Sequence, residues 1–202
     1  MTKMSEKKTQ AGFSLVELLI AMFVMAVGLS AIAILFTTAI ASNQRNKVNT
    51  TATMLAQTVL DQIAAKPAKD ANTVTITDCT GAAKTIATAS GAAPNGAGAT
   101  LVAATGPGGY PVAGDIDYTQ AFAGVPANYS MLYTDCGNAG AAGTALTYEV
   151  RWNVMAMPAA MGATTATFVK VVTVTARQRS AGTSLAFFAR PVTLRTIVGG
   201  NN

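Results

Sequence analysis

Ala11-Gly12-Phe13-Ser14-Leu15-Val16-Glu17-Leu18-Leu19-Ile20 opens an apolar run, residues 13–41, in which Glu17 is the one charged side chain. Ahead of it stands a short basic leader, residues 1–12, with Lys3, Lys7 and Lys8 against Glu6. About 20 consecutive apolar residues are enough for a helix to cross a bilayer. An acid inside such a span costs roughly 2.5–3.5 kcal/mol on insertion scales, so it normally has a partner and a function.

Three readings compete for this N-terminus. A secretory signal peptide would have an apolar region of about 7–15 residues, no acid, and a small-residue cleavage site. Ala31-Ile32-Ala33 and Ala39-Ile40-Ala41 could serve as that site, but the run is too long and contains Glu17. A plain signal anchor explains the length and leaves the acid without a role. The third reading accounts for length, acid position and the Gly12-Phe13 junction together: the string resembles the class III signal of type IV pilins and pseudopilins. The resemblance implies that a prepilin peptidase cuts after Gly12, that the new N-terminal Phe13 is methylated, and that the apolar segment is retained. It also implies a bacterial inner-membrane protein, single pass, with its N-terminus cytoplasmic and its head periplasmic. Other major and minor pilins and the inner-membrane assembly platform would be its partners. After assembly it would reside in a pilus or pseudopilus.

Cleavage would create a cation on Phe13, four residues from Glu17, about one helical turn away. In the family picture, Glu17 of an incoming subunit instead meets the N-terminal amine of a neighbour already in the filament. Either pairing supplies a counter-charge whose absence would be strongly unfavourable. The plain alternative is an acid near the end of the span that snorkels to the headgroups.

Helical character continues past the span. Val48, Ala52, Leu55, Val59 and Ile63 recur at three- and four-residue spacing, with Thr50, Thr53, Gln57 and Asp61 on the other side. Lys66-Pro67 marks the end. One helix over 13–66 would be about 80 Å long at about 1.5 Å per residue. Its first half, 13–41, would lie in lipid or a filament core, and its second, 42–66, would pack on a soluble domain. Gly28 is a soft point, costing about 1 kcal/mol relative to alanine. The mid-helix proline common in major pilins is absent, which brings the resemblance nearer to minor pilins.

In the C-terminal third, Tyr148, Val150, Trp152 and Val154 alternate with Glu149, Arg151 and Asn153. Residues 170–176 repeat the pattern with Val172, Val174 and Ala176 inward, and 191–196 give a third strand with Val192 and Leu194 inward, Pro191 marking an edge or a strand start. The fold class expected is α+β, a long N-terminal helix packed on a C-terminal antiparallel β-meander, as in type IV pilins. The head would occupy 67–202. This half looks like that of PilV-type minor pilins. Between lie a short strand at 73–77 and a stretch rich in Ala, Gly, Thr and Asn, 81–144, expected to be surface loops with one or two short strands. Composition alone reads 89–109 as a disordered insert.

The 202-residue chain is 50% apolar and 11% charged, with a formal charge of +5. The leader, which would be removed, supplies two of those five charges; from Asp61 onward nine basic residues face seven acidic ones. Arg177, Arg179, Arg190 and Arg195 are the nearest approach to a patch, without the aromatic-interleaved stripe of a nucleic-acid face, so no nucleic-acid partner is expected. Asp115 and Asp117 resemble a calcium-ligating pair but lack further ligands at loop spacing. With no histidine in the sequence, Ser-His-Asp and Cys-His catalysis have no base, and no phosphate-binding Gly-Lys loop occurs. No enzyme activity, cofactor or metal is expected.

A periplasmic head would sit in an oxidising compartment, where Cys79 and Cys136 would form a disulfide. Two buried thiols are the other possibility. Major pilins place their disulfide around a C-terminal loop, so this one would depart from that pattern. The reading is a minor type IV pilin. The alternatives are a type II secretion pseudopilin, or a signal-anchored periplasmic binding or adhesion domain that never enters a filament.

Overall fold

The computed structural model of the protein describes residues 14–68, 71–102, 104–105, 111–112, 114–137, 145–157, 168–179 and 190–200. The chain forms two compact units, 1–44 and 45–202, and helix α1, Leu15–Ala64, contributes to both. The α+β class expected from the sequence is the one observed.

In the first unit every described side chain of α1 is exposed. An 18-residue window of the helix has a mean hydropathy of 2.8 and none of it is buried. A helix apolar on all sides needs lipid or other helices around it.

In the second unit α1 buries Ala52, Leu55, Ala56, Val59 and Ile63, the expected stripe, with Val48 half-buried at its start. The strands are β1 Thr73–Thr77, β2 Ala83–Ala87, β3 Gly91–Ala92, β4 Ala97–Gly98, β5 Ala104–Thr105, β6 Pro111–Val112, β7 Ser130–Asp135, β8 Leu146–Met157, β9 Phe168–Arg179 and β10 Val192–Gly200. β8, β9 and β10 form the antiparallel meander. Each is longer than the alternating pattern alone predicted, and Pro191 stands just before β10. Val150 faces Ala176, Trp152 faces Val174 and Val154 faces Val172 across the β8–β9 ladder. These residues share one core with the helix stripe. Each fully buried Val or Ile contributes about 1.5–3 kcal/mol.

Lys170 follows the same face of β9 to the end of α1. It is 1% exposed, and its Nζ donates to the carbonyls of Ile63 and Lys66 at 3.1 Å and of Pro67 at 3.3 Å. The last carbonyls of a helix lack intrahelical partners, and Pro67 prevents another turn. A lysine from the sheet therefore closes the helix.

The stretch 81–144 differs from its expectation. Its described residues hold β2 to β7, more than the one or two short strands expected. β7, β4 and β3 each take part of the second edge of β8, and between β7 and β4 the Trp152 backbone donates to Tyr129 and accepts from Ala99. Within 89–109, read from composition as disordered, residues 91–92, 97–98 and Ala99 are thus paired to β8, while 103 and 106–109 lie outside the described residues. The glycines there allow close approach. Gly98 has a φ of +114°, and a Cβ on it would strike the Trp152 carbonyl and the Tyr129 ring.

The same stretch roofs the polar face of the sheet. Glu149, Arg151, Asn153, Thr173 and Thr175 are all buried, so this is not a solvated strand face. Arg151 pairs with Glu149 and donates through Nη1 to the carbonyls of Gln120 at 2.7 Å and Asp117 at 3.3 Å. Asn153 Nδ2 donates to Asn95 and Ala99. Arg195 reaches Gly114.

Ile63→Ala should lower unfolding stability by about 2–5 kcal/mol, the usual range for truncating a fully buried isoleucine. Met54→Ala, on the exposed side of the same helix, should stay within about 0.5 kcal/mol of wild type. Chemical denaturation of the detergent-solubilised protein measures both, and equal effects would contradict the packing described.

Candidate functional site

Two places carry the residues singled out from sequence. At the N-terminus, Gly12 and Phe13 lie outside the described residues. Glu17 lies in the first turn of α1, where the exposed N–H groups and the helix dipole favour an acid. Ser14 precedes the helix, and the Glu17 N–H donates to Ser14 Oγ at 3.3 Å and to its carbonyl at 3.0 Å. Ser14-x-x-Glu17 has the spacing of a capping box. The spacing is a local signal in the sequence for the helix start, separate from the charge of the acid.

The second place is the turn between β1 and β2. Cys79 and Cys136 are joined, with Cα atoms 5.8 Å apart and a sequence separation of 57. β1 and β2 form a two-stranded sheet of their own, and the disulfide ties their turn to the end of β7 in the main sheet. Asp78 organises that turn. Its Oδ1 accepts from the Thr80 hydroxyl at 2.6 Å and from the Thr80 and Ala82 N–H groups at 3.0 Å. Lys84 lies 3.4 Å from Oδ2. The Thr80 hydroxyl leads these interactions in holding the carboxyl well below its usual range, at about 2.

Asp115 and Asp117 serve the fold. Asp115 lies 3.4 Å from Arg195, and Asp117 accepts from the Thr119 hydroxyl and N–H. The Thr119 hydroxyl bond is the main cause of the lowered Asp117 pKa. Among the described residues no group of three or more potential metal ligands occurs. Arg177 faces Glu149 at 3.0 Å, Arg179 lies over the Phe122 ring, Arg195 is engaged as above, and Arg190 precedes β10.

A family model described as the prokaryotic N-terminal methylation motif matches residues 7–33. No curated protein and no solved structure matches the chain. The motif indicates a pilin-like or pseudopilin protein, processed by a prepilin peptidase and working among pilin-type partners.

The Asp78 carboxylate stabilises the fold above its unfolded pKa of about 4, and that stability is lost as pH falls toward the folded value of about 2. Asp78→Asn should therefore lower Tm at pH 6, with the gap to wild type closing between about pH 4 and pH 2. A gap that stays constant across that range would remove the ionised turn. Non-reducing peptide mapping should recover Cys79 linked to Cys136, and reduction should cost about 4 kcal/mol on the loop-entropy model for this separation. Free alkylation of both thiols in folded protein would contradict the link.

Proposed function

We propose that the protein is a minor type IV pilin, a structural subunit that joins or primes a filament after its leader is removed. The observation that carries this reading is the methylation motif over 7–33 running into a helix exposed and apolar throughout its first unit. The absence of proline from Leu15–Ala64 favours a minor over a major pilin. A type II secretion pseudopilin shares the same N-terminal chemistry.

In this reading residues 1–12 are the leader, Gly12 is the residue before the cut, and Phe13 becomes the methylated N-terminus. The span over 13–41 holds the subunit in the inner membrane with the head in the periplasm. Passing into a filament exchanges lipid contacts for helix contacts of similar apolar character. Glu17 of the incoming subunit neutralises the Phe13 amine of a neighbour, an interaction strengthened by the low dielectric of a packed core.

The mature protein should begin at Phe13, carrying one added methyl group, and Gly12→Val should retain the leader; intact mass of membrane-extracted protein reads both. Glu17→Ala should leave insertion and cleavage intact while its abundance in sheared filaments, relative to the membrane fraction, falls by at least roughly tenfold, the factor for only about 1.4 kcal/mol of lost pairing. Glu17→Gln keeps a side chain able to complete the capping box and loses only the charge, so it should fail as Glu17→Ala does. Wild-type incorporation of Glu17→Gln would assign the residue to the cap instead. A mature start after Ala33 or Ala41 would remove the pilin reading altogether.

A further inference from the structure

An open pocket of about 390 Å³ lies on the polar face of the sheet, between the C-terminal end of β9 and the loop 118–122. Its wall is fixed before any ligand arrives. Arg151 Nη1 holds the carbonyls of Asp117 and Gln120, and the Gln120 side chain accepts from Thr100 and donates to Gly124, both at 2.9 Å. Such preorganisation lowers the ordering cost of binding.

Two groups around the pocket, Arg179 and Arg177, keep unused hydrogen-bonding capacity that a ligand can reach. Arg179 is exposed, lies 5.5 Å over the Phe122 ring, and has no carboxylate partner among the described residues. Arg177 spends Nε and Nη2 on Glu149 Oε2, which leaves Nη1, and its guanidinium lies 4.0 Å over the Tyr118 ring. The Tyr118 hydroxyl is buried with no hydrogen-bond partner. Of the nearby acids, Glu149 is already doubly paired with Arg151 and Arg177, and Asp117 caps Thr119. The pocket is therefore rich in cationic donors, flanked by two aromatic rings, and short of free acceptors.

We propose that this pocket binds a ring-sized carboxylate of the uronic-acid class. A planar guanidinium takes a carboxylate through two parallel hydrogen bonds, which Arg179 and the free edge of Arg177 are positioned to offer. The Phe122 ring, over which Arg179 and Arg151 already lie at 5.5 and 6.0 Å, adds an apolar side to the pocket against which a ring-sized ligand would rest. The volume lies within the range of about 300–1,000 Å³ usual for small-molecule pockets and is more than a lone carboxylate would fill. The site belongs to the head and stands whether or not the chain enters a filament.

Calorimetric titration of the full-length protein in detergent tests this, with D-glucuronate, D-glucose, acetate and inorganic phosphate as separate ligands. Glucuronate should bind saturably, and glucose, acetate and phosphate should each bind at least about tenfold more weakly. Arg179→Gln removes a side chain that makes no hydrogen bond within the described fold, so it should fold normally and lose about tenfold in glucuronate affinity, the effect of one charge-assisted contact. Absence of saturable glucuronate binding overturns the proposal. So does acetate or phosphate binding as tightly as glucuronate, which would mark a general anion site with no ring recognition. An Arg179→Gln protein with wild-type affinity overturns it as well.

Discussion

Burying Arg151 commits the chain to more than a sheet. At 1% exposure its guanidinium would cost several kcal/mol unless paired and hydrogen-bonded. Glu149, two residues earlier on the same face, supplies the counter-charge, but the remaining donors need acceptors from elsewhere. They come from the carbonyls of Asp117 and Gln120, which exist at that place only when the loop layer has folded over β8 and β9. The layer and the sheet therefore stabilise one another. Asn153 repeats the arrangement farther along β8, with Asn95 and Ala99 as acceptors. The polar face specifies its cover by directional bonds, whereas the apolar face asks of α1 only a stripe of the right width.

Lys170 applies a similar constraint at the other cover. A one-residue slip of β9 would turn Lys170, Val172, Val174 and Ala176 away from the helix together, because side chains alternate strictly along a strand. The slip would take the ammonium from the carbonyls of Ile63, Lys66 and Pro67 and would put Thr173 and Thr175 into the apolar core. Strand register and helix terminus are thus fixed by the same side chain. Directional bonding at one end of the interface adds to the non-directional packing along it.

Much of this was legible in the sequence. The 3.6-residue stripe on α1 and the period-two alternation in β8 and β9 are local patterns, and each is buried on the expected side. The polar alternates were harder to read: nothing in Glu149-Val150-Arg151-Trp152-Asn153 distinguishes a solvated face from a roofed one, since the roof lies 30 or more residues away. Residues 89–102 were misread for a related reason. Their small side chains look like a segment unable to form a core, yet small side chains let Gly96 and Gly98 approach Asn153 and Trp152 closely. That requirement belongs to the partner strand and leaves no local periodicity. Lys170 could have been suspected, as a lysine on the inward alternation of a Val/Thr strand. The Ser14-x-x-Glu17 spacing was visible and overlooked.

The capping geometry also sharpens what Glu17 must do in the proposed pilin. Ser14 and the helix dipole together favour the first turn by about 1–3 kcal/mol. Much of the Ser14 contribution goes to the orphan N–H groups and would survive without the acid. The dipole acts on the carboxylate itself, at about 0.3–1 kcal/mol for an exposed group. An acid within a span costs roughly 2.5–3.5 kcal/mol, so the cap alone leaves most of that cost in place. A cation is needed to remove the remainder. The cap is available to each copy of the chain on its own, and it cannot distinguish a subunit in the membrane from one in a filament. An amine on a neighbouring chain can, because it is present only at a growing end. In the proposed pilin, local capping therefore offsets only a small part of the cost of Glu17, and the larger part falls to an amine, which in a filament would be a neighbour's.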